Sequence, residues 1–315
     1  MKLKRLGIIA ILLSILVTVF TGCQPEFVPG TYIDDMGREV SIDKVPQRIV
    51  SHVPSITETL FALGLGDRVV GVSDYCDYPE EAKLKPSIGD YYNPCIETIV
   101  AQAPDLVLTD GEGLTEDIIP QLENLGITCV VINPKSIDGI LKDIELLGKI
   151  TGVEKEAREL VSEMSSRLAQ IASQAEDAPR VRVFYVFDAT DLNNPWTAGP
   201  GSFVDALVTM AGGENIAAQA HGAWVQFSIE QLVSADPEII MVDTIHGTAI
   251  VSEEELRAHP AWREITAVKQ GKIYMVNGDL VNRSGPRIIQ GLEEIARAIH
   301  PELFTTEVLF RVLAS

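Results

Sequence analysis

Short apolar runs alternate with longer amphipathic stretches along most of the chain. Runs rich in Val, Ile and Leu are typical of buried strands, whereas apolar residues at a spacing of three to four are typical of helices. The runs that predict strands are 48–51, 68–72, 105–109, 128–132, 181–187, 238–242 and 272–276. The stretches that predict helices are about 57–64, 95–102, 115–125, 136–151, 202–211, 228–234, 253–264 and 285–299. This alternation favours mostly parallel sheets.

One pattern occurs twice in the chain. Residues 96–110 read IETIVAQAPDLVLTD, and residues 229–243 read IEQLVSADPEIIMVD. Each copy predicts a short helix, a turn that contains Pro, a buried strand, and an Asp at the carboxyl end of that strand (Asp110 and Asp243). Two copies predict two α/β lobes of similar plan, and small ligands often bind between domains.

Residues 153–176 connect the two halves and predict one long helix, because they lack Gly and Pro and carry apolar residues at helical spacing. Such a helix would span roughly 35 Å and would act as a stiff connector that limits opening and closing. We therefore predict an α/β fold of two α/β lobes with mostly parallel sheets, joined by one long helix, with a ligand cleft between the lobes. The expected boundaries are 31–152, 153–177 and 178–315 for the N-terminal lobe, the linker helix and the C-terminal lobe.

Residues 1–22 predict an export signal. Three basic side chains lie within the first five residues, and the apolar stretch 6–20 that follows is shorter than the about 20 residues of a spanning helix. The sequence Thr-Gly-Cys that ends at Cys23 resembles the lipobox of exported lipoproteins. This resemblance implies cleavage before Cys23, lipidation of its thiol, a lipidated tether at 23–30, and a membrane-anchored lipoprotein on the extracytoplasmic face. The alternative is an ordinary secretory signal with a chance cysteine.

Charge excludes one class of partner. The formal net charge is −20, and the three basic residues of the export signal are lost on cleavage. Nucleic acid is therefore not an expected partner, because phosphate binding needs a basic face.

Cysteine and histidine positions give little sign of a metal site. Cys129 lies in an apolar run and predicts a buried thiol, and the sequence leaves open whether Cys76 and Cys95 form a disulfide. The spacings match no zinc pattern. Three scattered histidines are better interpreted as polar loop residues than as metal ligands: His52, His221 and His246. No metal is expected.

Ligands of open α/β sheets bind outside the carboxyl ends of the strands. The loops predicted there hold an unusual share of the large aromatic residues, which are Tyr75, Tyr78, Tyr91, Tyr92, Trp196 and Trp224. Large amphipathic rings in such loops favour ligand contact over packing. We expect Trp196 and Trp224 to contact opposite sides of one ligand, with Tyr91 facing them from the first lobe. Trp262 is better interpreted as a helix packing residue.

Four segments resemble the periplasmic substrate-binding proteins of importers for vitamin B12 and iron–siderophores: 46–79, 88–111, 196–216 and 285–301. The resemblance implies a shallow, rather rigid cleft in which aromatic side chains of both lobes enclose the ligand. The positions that match ligand contacts are Tyr75, Tyr91, Trp196, Trp224, Asp279 and Arg283. Asp110 stands where the compared B12-binding protein has Trp.

The resemblance also implies partners. Glu97 and Glu230 match surface acids that dock into basic pockets of a permease dimer, which works with its ATPase. An acid near a helix N-terminus also has a purely stabilising interpretation, through the helix dipole. We expect a monomer that docks onto an ABC transporter permease.

Cobalamin or a related corrinoid is the ligand expected from an aromatic-rich, base-poor site, and no separate cofactor is expected. The alternatives are a ferric siderophore, which usually calls for several Arg or Lys, and haem, whose iron Tyr91 or Tyr92 could ligate. A hydrolase is the weaker hypothesis, because GPGSF at 199–203 lacks the second Gly of a nucleophile elbow. No catalytic residue is therefore expected.

Overall fold

The computed structural model describes residues 27–112, 118–245 and 247–304. It begins with an antiparallel hairpin that the sequence pattern did not predict, formed by β1 (Gly30–Ile33) and β2 (Glu39–Ile42). Phe27 packs against the core, so the last residues of the predicted tether at 23–30 belong to the folded lobe. Cys23 and the predicted export signal lie outside the described residues.

The first lobe is built on a four-stranded parallel sheet of order β4-β3-β5-β6. Its strands are β3 (Ile49–Ser51), β4 (Val69–Val72), β5 (Leu106–Thr109) and β6 (Thr128–Val131). The strand residues of β3 and β5 are buried throughout, which is why they read as continuous apolar runs rather than as alternating ones.

Helices cover both faces of this sheet. They are α1 (Pro54–Ala62), α2 (Ile96–Ala101), α3 (Ile118–Asn124) and α4 (Ile137–Thr151). The side chain of Ser136 caps α4 by accepting a hydrogen bond from the amide of Gly139, and Gly152 ends the helix in the left-handed conformation. Helix α1 begins three residues earlier than predicted, because Pro54 fits the first helical turn.

The predicted linker is one helix, α5 (Glu154–Ala175), of 22 residues. It packs closely on α4, where a Cβ at Gly148 would lie 2.3 Å from the Cβ of Ala157. Its other contact reaches the second lobe, since Arg167 donates to Glu293 at 2.7 Å. The helix is thus fixed to both lobes along its length.

The second lobe repeats the plan of the first. Its parallel strands are β7 (Val181–Val186), β9 (Gly213–Asn215), β11 (Ile239–Ile245) and β13 (Ile273–Asn277), in the order β9-β7-β11-β13. Strands β5 and β11, which belong to the repeated segment, occupy the same inner position of their sheets. This confirms the two-lobe α/β fold. A short strand, β12 (Thr248–Ala249), pairs antiparallel with β11.

The helices of the second lobe are α6 (Phe203–Met210), α7 (Ile229–Ala235), α8 (Glu253–Ala258), α9 (Thr266–Gln270), α10 (Gly278–Val281) and α11 (Ile288–Ile299). The single helix predicted at 253–264 is wrong, because it ends at Ala258. His259 precedes Pro260 and adopts an extended conformation, as residues before proline usually do. Trp262 is fully buried, as expected for a packing residue. No helix among the described residues has both the length and the apolar character required to cross a bilayer.

A buried carboxylate joins the two lobes. Glu58 on α1 accepts from Arg287 at 2.6 and 2.8 Å and from Arg283 at 2.9 Å, and its side chain is only 2% exposed. Gly285 lies against this region as well, since a Cβ there would be 3.1 Å from the carbonyl oxygen of Ser55. Since both arginines precede α11, these ion pairs connect α1 of the first lobe to α11 of the second.

Substituting Glu58→Gln should lower the free energy of unfolding by about 3 kcal/mol or more, because two buried guanidinium groups would lose their shared anion. Urea unfolding at pH 7 measures this loss. The control is Glu80→Gln, which breaks an exposed pair with Lys83 and should cost no more than about 1 kcal/mol. Equal stability losses in the two variants would contradict a structural role for Glu58.

Candidate functional site

Loops that follow the carboxyl ends of strands meet between the lobes, where Arg283 after β13 pairs with Asp77 after β4. The first-lobe wall contains Tyr91, whose hydroxyl donates to Asp110 at 2.6 Å. Tyr92 meets the ring of Tyr91 edge-on at 4.9 Å and is 74% exposed. Burial raises the pKa of Tyr91, and the hydrogen bond to Asp110 raises it further. Tyr91 is therefore a neutral phenol whose proton is held by Asp110.

His52 supports this wall from beneath. Its ring stacks on that of Tyr91 at 5.1 Å and 4°, and its Nε2 donates to the carbonyl oxygen of Tyr91 at 2.8 Å. His52 lies in the loop between β3 and α1, as expected, but its side chain is fully buried rather than exposed. Burial lowers its pKa, so the ring is neutral and serves to orient Tyr91.

The second-lobe wall is an antiparallel ribbon of β8 (Trp196–Ala198) and β10 (Trp224–Gln226). Trp224 pairs with Ala198, and Trp196 pairs with Gln226, so all four residues lie on one face of the ribbon. The two indoles are therefore side by side, and the expectation that they contact opposite sides of one ligand does not fit this register. Phe187 extends the aromatic face, with its ring 4.3 Å from that of Trp224.

Ring–ring contacts among the described residues stay within one lobe or the other. Polar groups rather than rings therefore join the two walls. Arg283 forms ion pairs with Asp77 at 2.6 Å and Glu58 at 2.9 Å in the first lobe, and with Asp279 at 2.8 Å in its own lobe. Tyr75, two residues before Asp77, is about half exposed.

The guanidinium of Arg283 is committed to these carboxylates. Burial opposes its charge, but hydrogen bonds to Asp77 and Glu58 outweigh burial and raise its pKa. Arg287 is also engaged, because it pairs with Glu58 and stacks over the ring of Tyr78 at 4.0 Å. Arg287 thus has a structural role in joining the two lobes. The predicted polar pair, Asp279 and Arg283, is brought together at the floor of the site.

A cavity of about 690 Å³ opens beside the ribbon at the carboxyl end of the second sheet. Its wall includes Asp243, which sequence reasoning did not select, although the repeat places it at the position equivalent to Asp110. Asp243 is 2% exposed. Burial raises its pKa to about 6, so near pH 7 it is mainly an ionised, poorly solvated carboxylate.

The three cysteines of the described residues, Cys76, Cys95 and Cys129, are free. Cys76 is buried and accepts from the hydroxyl of Thr57 at 3.2 Å, whereas the thiol of Cys95 donates to Glu97 at 3.3 Å. Cys129 is a fully buried core thiol, as expected. Within 27–112, 118–245 and 247–304, no three His, Cys, Asp or Glu side chains come together as metal ligands. His246 lies outside these residues.

Glu97 and Glu230 occupy the first turns of α2 and α7, the equivalent helices of the repeat. Both side chains are exposed. Hydrogen bonding to the Glu97 backbone amide, together with the Cys95 thiol, lowers the pKa of Glu97. Each lobe thus presents an exposed glutamate at a corresponding surface position.

Two proteins with similar sequences are named as binding proteins. The chain is 36% identical to the uncharacterized ABC transporter substrate-binding lipoprotein YvrC of Bacillus subtilis (strain 168), over 96% of this chain and 99% of the relative. It is 31% identical to a cobalamin-binding protein of Halobacterium salinarum, over 86% of this chain and 74% of the relative.

The fold resembles the periplasmic heme-binding protein RhuT from Roseiflexus sp. RS-1 in its apo form. The TM-score is 0.71 at 26% identity, over 82% of this chain and 99% of that one. The sequence pattern of the family described as periplasmic binding protein matches residues 49–280. The chain therefore belongs to the periplasmic binding protein family, whose members bind small molecules for ABC importers that work with a permease and an ATPase.

Proposed function

We propose that the chain binds cobalamin or a related corrinoid between its lobes and delivers it to an ABC import permease. The observation that carries this proposal is the commitment of Arg283 and Arg287 to carboxylates, while large aromatic side chains stay exposed at the same edge. A site of this kind favours a large, amphipathic ligand with little net charge. The proposal also fits the Halobacterium salinarum relative, which is named a cobalamin-binding protein.

Charge separates this ligand from its alternatives. Carboxylates surround the site from both lobes: Asp110, Asp188, Asp243 and Asp279. An anionic ferric siderophore would lose hydration there without gaining a free guanidinium, which is unfavourable at a poorly solvated site. Cyanocobalamin has no net charge, so it avoids this cost.

Haem is the second candidate, and the observation that favours it is the pair of tyrosines in the first-lobe wall together with the similarity to RhuT. Tyr91 is poorly suited to ligate iron, because its proton is held by Asp110 and its pKa is raised. Tyr92, which is largely exposed, would be the ligand in that case. Haem propionates would also meet the carboxylates of the second lobe.

Titration of intrinsic fluorescence against cyanocobalamin, haemin and a panel of ferric siderophores tests the proposed ligand. We expect tight, stoichiometric binding of cyanocobalamin. Trp224→Ala should weaken it about tenfold or more by calorimetry, because the variant loses both stacking and apolar contact. Trp224→Phe is the control and should keep most of the affinity, because a ring remains. Preference for haemin, or unchanged affinity in the Ala variant, would contradict the proposal.

We also propose that the chain is a monomer held at the extracytoplasmic face of the membrane by lipid on Cys23. The support is the sequence around Cys23 and the similarity to YvrC, which is named a lipoprotein.

Docking on the permease is proposed to use Glu97 and Glu230. The geometry supports this docking role, because equivalent helices of two similar lobes each expose one of these glutamates. Such an arrangement suits two equivalent basic pockets. Charge pairs that lose water at an interface can cost about 2–5 kcal/mol of binding when one partner is truncated.

The double variant Glu97→Ala/Glu230→Ala should therefore bind ligand and unfold almost as the wild type does, yet lose uptake in a reconstituted transporter. The matched control is Glu81→Ala/Glu254→Ala, which removes one exposed glutamate from each lobe elsewhere and should transport normally. If the Glu97/Glu230 variant transports normally with a small loss of stability, the two acids serve their helices and not the permease.

A further inference from the structure

The cavity of the second lobe is rich in hydrogen-bond acceptors. Its polar side chains are those of Asp188, Thr190, Asp243, Thr244, Asp279, Asn282 and Arg283. The Arg283 guanidinium, its strongest donor, is already engaged by Asp77, Glu58 and Asp279. A molecule that enters this cavity therefore finds several acceptor oxygens among its polar groups, and no free guanidinium there.

Two of these oxygens are buried without a donor. Asp243 Oδ2 accepts from Asn282 Nδ2 at 2.9 Å. The Tyr185 hydroxyl and the Thr244 amide lie near the same carboxylate and partly offset the rise of its pKa on burial. No donor among the described residues reaches Asp243 Oδ1 or Asn282 Oδ1, although both atoms are shielded from solvent. Buried acceptors are rarely left unpaired, because they lose their hydration without gaining a donor, and such atoms call for an explanation.

The backbone is shaped around this carboxylate. At Gly278, where β13 meets α10, a Cβ would lie 2.1 Å from Asp243 Oδ1. The glycine therefore allows Asp243 to sit against the start of α10, next to Asn282 on the following turn. Gly278 itself lines the cavity, so the carboxylate lies directly behind the cavity wall.

The two repeats differ at this point. In the first lobe, Asp110 accepts from the hydroxyl of Tyr91 through Oδ2 and from the amide of Glu112 through Oδ1 at 2.9 Å, so both of its oxygens are paired. The equivalent Asp243 has one oxygen paired and one unpaired. The missing donor is thus specific to the second lobe, where the cavity lies.

We propose that this cavity receives a primary carboxamide of the ligand, whose N–H groups donate to Asp243 and Asn282. The inference rests on the proposed function, because the corrin ring carries peripheral primary amides that a site of this kind can bind. In this proposal the terminal amide and carboxyl groups rotate about their soft χ2 torsions, so that the oxygens that lack a donor face the cavity. A carboxylate in place of the amide would be rejected, because it offers no donor and repels Asp243.

Calorimetry at pH 7.5 with cyanocobalamin and a set of its monocarboxylates, each with one peripheral amide hydrolysed, tests the inference. At this pH the Asp243 carboxyl is ionised, since its pKa is about 6. We expect one monocarboxylate to bind the wild type at least tenfold more weakly than cyanocobalamin does. Asp243→Asn should bind that monocarboxylate more tightly than the wild type does and so remove a large part of the difference, because the like-charge repulsion is absent.

Glu254→Gln, on an exposed side chain of α8, is the control and should leave the difference between the two ligands unchanged. Melting curves of both variants establish that they are folded. The amide subsite would be overturned if the wild type bound every monocarboxylate as tightly as cyanocobalamin. It would also be overturned if wild type and Asp243→Asn showed the same loss of affinity for the monocarboxylate. Either result would leave corrinoid binding intact. Absence of cyanocobalamin binding to the wild type would instead overturn the proposed function, and the amide subsite with it.

Discussion

The carboxylate of Glu58 is the constraint on which the arrangement of the two lobes depends. It is buried on α1 and is shared by Arg283 and Arg287, which come from the segment before α11. An unpaired charge at this depth would be very costly, so neither lobe can move away without leaving charges buried and unpartnered. Together with the linker helix α5, which packs on α4 and is tied to Glu293, this cluster favours a preformed site.

The same cluster influences which ligands can bind. Because Arg283 also pairs with Asp77 and Asp279, the guanidinium groups at the floor of the site are not available to an anionic ligand. Large aromatic side chains stay exposed beside this cluster, with Trp196 and Trp224 on one ribbon of the second lobe and Tyr92 in the first lobe. Structural rigidity and the preference for a weakly charged ligand thus have one physical origin.

Much of the fold could be predicted, because buried parallel strands leave a strong apolar pattern. The repeat even predicted the correspondence of β5 and β11, which occupy the same inner position. The hairpin at 30–42 and the ribbon of β8 and β10 could not be predicted in this way, because their strands are short and partly exposed. The aromatic residues of the candidate site could be selected from the sequence because large rings in Gly- and Pro-rich loops are unusual. Glu58 could not be selected from the sequence, since its partner Arg283 is 225 residues away and no local pattern marks the pair.

The most direct test of a preformed, ion-locked site is the distance between the lobes with and without ligand. Spin labels at Leu125→Cys and Glu254→Cys, both exposed positions, report this distance by double electron–electron resonance on a Cys95→Ser background. We expect the wild type to give one narrow distance distribution that shifts by no more than about 2 Å when cyanocobalamin binds. Glu58→Gln should give a broader distribution. A wide distribution in the unliganded wild type that collapses on binding would contradict a preformed site.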